Sequence, residues 1–170
     1  MRQLIIDGYN VILQATPYSK LAERDDFELA CEALISDAAS FVGPQYKVTV
    51  VYDGTGNKFS TGEPRKIAGV TVIYSPYGQT ADTVIERLAH EYRDRGDDVE
   101  VVTSDEQTQR AVMGGRIVRR SSREFIEELG VGYSEFAENK ESAPYSKVTL
   151  DQRISADAVE LLRKIRDGEA

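Results

Sequence analysis

Ile5-Ile6-Asp7-Gly8-Tyr9-Asn10 is the stretch on which the reading of this chain turns. Leu4, Ile5 and Ile6 form a short apolar run that breaks at once into Asp-Gly, the way a buried strand ends in a loop that carries a carboxylate. In an open α/β sheet, ligands bind in the crevice outside the carboxyl ends of the strands, so an acid at that point is well placed for chemistry. Gly8 lets the backbone turn sharply, and Asn10 adds a neutral oxygen ligand or a hydrogen bond. Taken alone, the segment also fits an Asx-turn that merely closes a strand.

The same grammar recurs downstream. A helix capped by Asp25 or Asp26 is expected to run to about Val42, with Phe27, Ala30, Cys31, Leu34, Ile35 and Ala38 on one face, and Gly43-Pro44 ends it. Lys47 to Tyr52 reads as a β-branched strand that stops at Asp53-Gly54. Thr55 to Arg65 reads as a loop with Lys58, Arg65 and Lys66 as a positive lining. Gly69 to Tyr74 is a third strand, and Thr80 is the natural N-cap of a helix from Ala81 to about Arg95. Asp82 and Glu86 lie one turn apart on the outer face of that helix. An acid in the first turn also favours the helix dipole, by roughly 0.3 to 1 kcal/mol.

Glu100 to Thr103 is a fourth strand, ended by Ser104-Asp105-Glu106-Gln107, where Ser104 and Gln107 fit a capping box for a helix of about 105–113. Arg116 to Arg119 reads as a short fifth strand, and Ser121 with Glu124 starts a further helix closed by Gly130. The order β-α-β-β-α-β-α-β-α predicts an α/β domain with a mainly parallel sheet and helices on both faces. Residues 1–132 are expected to form this domain. Residues 133–170 read as a C-terminal extension with a terminal helix over about 155–166.

Composition bounds the chemistry. With 41% hydrophobic and 29% charged residues, 170 residues can bury one core. The start lacks a basic segment followed by an apolar one, and no apolar run approaches the roughly 20 residues that span a bilayer, so the expectation is a soluble, cytoplasmic protein without a membrane partner. One cysteine, Cys31, excludes an intramolecular disulfide and a cysteine-rich zinc site. His90 falls about 12 Å along the helix from Asp82, too far to share a metal directly, and reads as a surface histidine.

Asp7, Asp53, Asp82 and Asp105 each end a strand or open the element after one, so one sheet edge gathers several carboxylates. Like charges so close raise one another's proton affinity until a cation sits among them. Oxygen-only ligands favour Mg²⁺ or Mn²⁺, and phosphodiester hydrolysis is the chemistry such a site suits. The net charge of −8 argues against an unaided tight grip on free RNA, which points to a substrate delivered by something else.

Ile6 to Asn10, Tyr52-Asp53-Gly54, Ser75 to Glu86, Val101 to Asp105 and Ser121 to Phe125 together resemble the YacP-type NYN-domain family, relatives of PIN-domain nucleases, over roughly residues 2–130. The resemblance implies a PIN-like three-layer α/β/α sandwich, Mg²⁺- or Mn²⁺-dependent endoribonuclease activity, and, for some members, mRNA cleavage on translating ribosomes. It implies Asp7, Asp82 and Asp105 as metal-binding catalytic acids, Asn10, Asp53 and Ser104 as supporting polar groups, with Asp53 counted among the metal ligands as well, and Glu86 as an outer ligand. Lys58, Arg65, Lys66, Arg110, Arg116, Arg119, Arg120 and Arg123 are candidates for phosphate contacts, and Tyr9 or Tyr77 for stacking on a base. Two rival readings stay open. One is a phosphatase with Asp7 as nucleophile, weakened because Tyr9 stands where a second Asp is usual. The other is a non-catalytic RNA- or ribosome-binding module of the same fold.

Overall fold

The computed structural model describes residues 1–23, 27–112 and 114–130. β1 (Arg2–Asp7) is an apolar strand whose last five residues are all buried. It is followed by three helices, α1 (Gly8–Gln14), α2 (Thr16–Glu23) and α3 (Phe27–Ala38), and a short 3₁₀ turn over Ala39–Phe41. Then come β2 (Tyr46–Tyr52), β3 (Arg65–Ile67), β4 (Val70–Tyr74), α4 (Ala81–Asp94), β5 (Asp98–Val102), α5 (Glu106–Ala111), β6 (Ile117–Arg120) and α6 (Ser122–Leu129).

The six strands lie in the order β3-β4-β2-β1-β5-β6. Every pairing is parallel except β3 with β4. β1 is central: Ile6 stands opposite Val50 of β2 and Val102 of β5. Parallel strands need both faces covered, and alternation of side chains gives each face its own core. Leu4, Ile6, Val48, Val50 and Tyr52 pack with Val11, Ile12, Leu34, Ile35, Phe125 and Ile126, which places α1, α3 and α6 on one face. Ile5, Val51, Ile73, Val99 and Val101 pack with Val84, Ile85, Leu88 and Val112, which places α4 and the end of α5 on the other. This is the expected three-layer α/β/α sandwich, in which each fully buried Ile or Leu contributes roughly 1.5–3 kcal/mol.

Several expectations shift. The turn after β1 is a helix start rather than a loop: Asp7 is the N-cap of α1 and its carboxylate accepts the Asn10 N–H at 3.2 Å. Asp and Gly are shared by turns and helix caps, so the two cannot be separated locally. Gly8 is required for another reason, because a Cβ there would overlap the buried Tyr52 ring. The helix expected to reach Val42 ends at Ala38 and tightens into the 3₁₀ turn. Its proposed caps, Asp25 and Asp26, lie outside the described residues. The loop after β2 closes as β3, with Arg65 opposite Val72. α5 is capped by Asp105, whose carboxylate accepts the N–H groups of Gln107 and Thr108, and not by Ser104. Thr80 caps α4, and Ser121 with Glu124 forms the full capping box of α6, as read from the sequence. The proposed extension over 133–170, with its terminal helix, lies outside the described residues. Among the described residues no helix is long and apolar enough to cross a membrane.

Candidate active site

Four aspartates stand along the carboxyl edge of the sheet, each delivered by its own element. Asp7 ends β1, Asp53 follows β2, Asp82 sits in the first turn of α4 and Asp105 caps α5. Asp7 is the buried one, only 7% exposed. Its two oxygens are held from different segments: Oδ1 accepts the Asn10 N–H at 3.2 Å, and Oδ2 accepts the Thr103 hydroxyl at 3.1 Å. Burial raises its pKa from 3.8 to about 6, against the lowering effect of those two hydrogen bonds, and the charges of Asp82 and Asp105 push it further up.

Asp82 and Asp105 are joined through one hydroxyl. Thr108, fully buried, donates its O–H to Asp82 Oδ1, and the same oxygen lies 3.3 Å from Asp105 Oδ1. The Asp105 carboxyl is lowered, first by the Thr108 N–H, against a smaller effect of burial, and further by the Gln107 N–H. Asp53 is turned toward the backbone: Oδ1 accepts the Thr55 N–H at 2.8 Å and Oδ2 the Ala81 N–H at 3.1 Å. Burial pulls its pKa up, but the hydrogen bonds from Thr55 and Ala81 outweigh it and the carboxyl is lowered. Asp53 thereby anchors the residue next to Asp82.

Asn10 ties a third corner. Its Oδ1 accepts the Ser104 N–H at 2.8 Å and the Ser122 hydroxyl at 2.8 Å, while Ser104 Oγ accepts the Ser122 N–H at 3.0 Å. The starts of α1 and α6 and the turn that carries Asp105 are thus locked together. Thr103 and Ser122 lie inside motif-bearing stretches of the sequence but have no role of their own there, and Thr108 is not singled out. Thr108 gives a signal of its own, three residues past an Asp cap.

The remaining candidates are spread more widely. Glu86 is exposed one turn past Asp82, 3.9 Å from His90 Nε2. Arg119 and Arg120 end β6 on the acid-bearing edge, but Arg120 is engaged by Glu100 at 2.5 Å and by Glu128. Arg119 Nη1 donates to the Gln109 carbonyl at 3.5 Å. Arg116 is held at the opposite end of β6 by the Gly96 carbonyl at 2.9 Å, away from the acids. Arg65, Arg110 and Arg123 each pair with a neighbouring glutamate, Glu63, Glu106 and Glu127. Lys66 is exposed on β3, and the Lys58 ammonium lies 5.1 Å from the Phe59 ring centroid. The Tyr9 ring packs between Phe27 and Tyr52, with centroids at 5.0 and 5.1 Å, whereas Tyr77 is exposed. A cavity of about 600 Å³ bounded by Tyr46, Glu100, Arg120 and Glu128 holds none of the four aspartates.

Carboxylates with hydroxyl and amide support are the donor set of a hard divalent cation, and the raised proton affinity of Asp7 is the conflict that such a cation relieves. Among the described residues no three carboxylate, histidine or cysteine side chains stand close enough together to hold one ion. The donor chemistry fits a cation, and the Thr108 hydroxyl holds Asp82 turned toward Asp105.

A family model for the YacP-like NYN domain matches residues 4–167. The Bacillus subtilis (strain 168) protein YacP is 31% identical over 176 residues, which covers 98% of this chain and 97% of that protein. The crystal structure of Rae1 (YacP) from Bacillus subtilis superposes with a TM-score of 0.59 at 26% identity, covering 99% of this chain and 97% of that one. A single-substitution mutant of the same protein gives 0.62 at 25% identity over the whole of both chains. With its sheet order, its two-faced core and its edge of aspartates already established, the chain belongs to the YacP-like NYN family, a nuclease-like family of PIN-like fold.

Proposed function

We propose that this protein is a divalent-metal-dependent endoribonuclease that hydrolyses RNA phosphodiester bonds, with mRNA on translating ribosomes as its substrate. The observation that carries the proposal is the placement of Asp7, Asp82 and Asp105 by three separate elements along one sheet edge, with Asp7 buried and its proton affinity raised further by the other two. Asp7, Asp82 and Asp105 would hold Mg²⁺ or Mn²⁺. Such a cation supplies an activated water and charge stabilisation for the leaving oxygen of an in-line displacement.

The chain's own residues orient those acids. Thr103 and the Asn10 N–H fix both oxygens of Asp7, Asp53 holds the first turn of α4 through Ala81, and Asn10 locks the Asp105 turn through Ser104. The acidic balance of the chain supports a substrate presented by the ribosome over one captured from solution.

The test is cleavage of a labelled mRNA in a translating extract with Mg²⁺, comparing the wild-type chain, Asp82→Asn, and the same RNA without ribosomes. Cuts that need both Asp82 and translation are the expected result. Asp82-dependent cutting of naked RNA keeps the chemistry and removes ribosome delivery. No Asp82-dependent cutting under either condition leaves the non-catalytic binding module.

A further inference from the structure

Two turns flank the acid-bearing edge on the β4 side, and they invert the usual placement of side chains. Ser60 and Ser75 are buried, while the aromatic rings beside them face solvent, Phe59 at 57% and Tyr77 at 63% exposure. The turns are tied to each other: the Tyr77 N–H donates to the Ser60 carbonyl at 3.0 Å, Ser60 Oγ donates to the Ser75 carbonyl at 2.7 Å, and the Gly54 N–H donates to Ser75 Oγ at 2.8 Å. Gly54 makes this approach feasible, since a Cβ there would stand 2.7 Å from Ser60 Oγ and overlap the Ser75 carbonyl. The buried hydroxyls are spent on fixing the backbone that presents the rings.

The same turns are fastened to the acids. Thr55 Oγ1 donates to the Gln79 carbonyl at 2.8 Å, and Asp53 accepts the N–H of Ala81, the residue before Asp82. Lys58 adds a cation 5.1 Å from the Phe59 ring centroid.

We propose that Phe59 and Tyr77, flanked by Lys58, form a preformed stacking platform for the bases of single-stranded RNA, which guides the strand onto the edge that carries Asp7, Asp82 and Asp105. The proposal rests on the nuclease reading and deepens it by naming the strandedness of the substrate. Every base has a π face, so an aromatic pair takes a single strand without regard to sequence. A duplex keeps its bases stacked on one another and offers the rings nothing. In a chain with net charge −8, stacking supplies affinity that long-range attraction to phosphate does not.

The experiment measures fluorescence anisotropy of a short labelled single-stranded RNA, alone and annealed to its complement, with the full chain in EDTA so that nothing is cut. Variants are the Phe59→Ala/Tyr77→Ala double substitution, Tyr77→Phe, and Leu13→Ala as an exposed apolar control, each checked by thermal melting. The expected result is binding weakened tenfold or more in the double variant, retained in Tyr77→Phe and Leu13→Ala, and poor competition by duplex. Equal binding by wild type and the double variant, or equal competition by duplex, overturns the platform. So does loss of ribosome co-sedimentation without loss of RNA binding, which would assign the rings to a protein contact. The Asp82-dependent cleavage assay run in parallel separates the two claims. Cleavage with platform-independent binding discards the platform and keeps the nuclease. Platform-dependent binding without cleavage does the reverse, and a wild-type chain that neither binds the single strand nor cuts mRNA removes both.

Discussion

Thr103 and Asp7 stand 96 positions apart in the sequence and share a hydrogen bond of 3.1 Å at the end of adjacent parallel strands. That bond favours the ionised carboxylate, and burial overrides it, so Asp7 titrates at about 6 instead of 3.8. Between those values the folded chain binds a proton that the unfolded chain has released. Stability attributable to Asp7 therefore falls as pH rises from about 4 to about 6 and is fully lost above it, a difference of about 3 kcal/mol at 1.36 kcal/mol per pK unit. Asp7→Asn keeps the shape and carries no charge. In metal-free urea melts its stability relative to wild type rises by about 3 kcal/mol between pH 4 and pH 7, while cleavage is abolished. A relative stability that does not move with pH would contradict this account.

Thr108 makes a separate prediction because its hydroxyl has one proton and two carboxylate neighbours. The proton goes to Asp82, which keeps that exposed side chain turned toward Asp105. Thr108→Val removes the tether while preserving shape, and Mn²⁺ affinity, followed by the paramagnetic signal of the free ion, drops roughly 10- to 100-fold. Thr108→Ser restores it. Unchanged Mn²⁺ binding in the valine variant would assign Thr108 to packing alone.

Asn10 accepts two hydrogen bonds with one oxygen, from the Ser104 N–H and the Ser122 hydroxyl. Asn10→Ala leaves both donors partly buried and unpaired, at about 1–3 kcal/mol each. Chemical denaturation should show a loss of about 2–6 kcal/mol in Asn10→Ala and a much smaller one in Asn10→Asp, which keeps an acceptor in place. Equal losses in the two variants would show that the carboxamide's volume, not its acceptor, matters.

Much of this arrangement was legible in the chain. Buried parallel strands read as apolar runs, so each Asp at the end of such a run announced its place, and Thr80 and Ser121 announced theirs by capping chemistry. α1 and α2 were hidden because Asp7-Gly8 is equally a turn and a cap, and β3 because three residues carry no period. The hydroxyls of Thr103 and Thr108 acquire meaning only when α5 is set beside β1 and α4. Arg120 shows the opposite failure: beside Arg119 it reads as a phosphate contact, yet the fold sets Glu100 and Glu128 against it. Charge pairing across a sheet is invisible to a reading in one dimension.

The central position of β1 also sets an order of events during synthesis. Its seven-residue neighbour on one side, Tyr46–Tyr52, emerges early, but the strand on its other side, Asp98–Val102, emerges only after more than half of the chain has been made. Until then the first strand translated has one free flank, and Asp7 lacks both Thr103 and the company of Asp105. Non-local parallel pairing of this kind is slow and late. Asp7, Asp82 and Asp105 therefore cannot be brought to one edge until residue 105 has been made, well past the middle of the 170 residues.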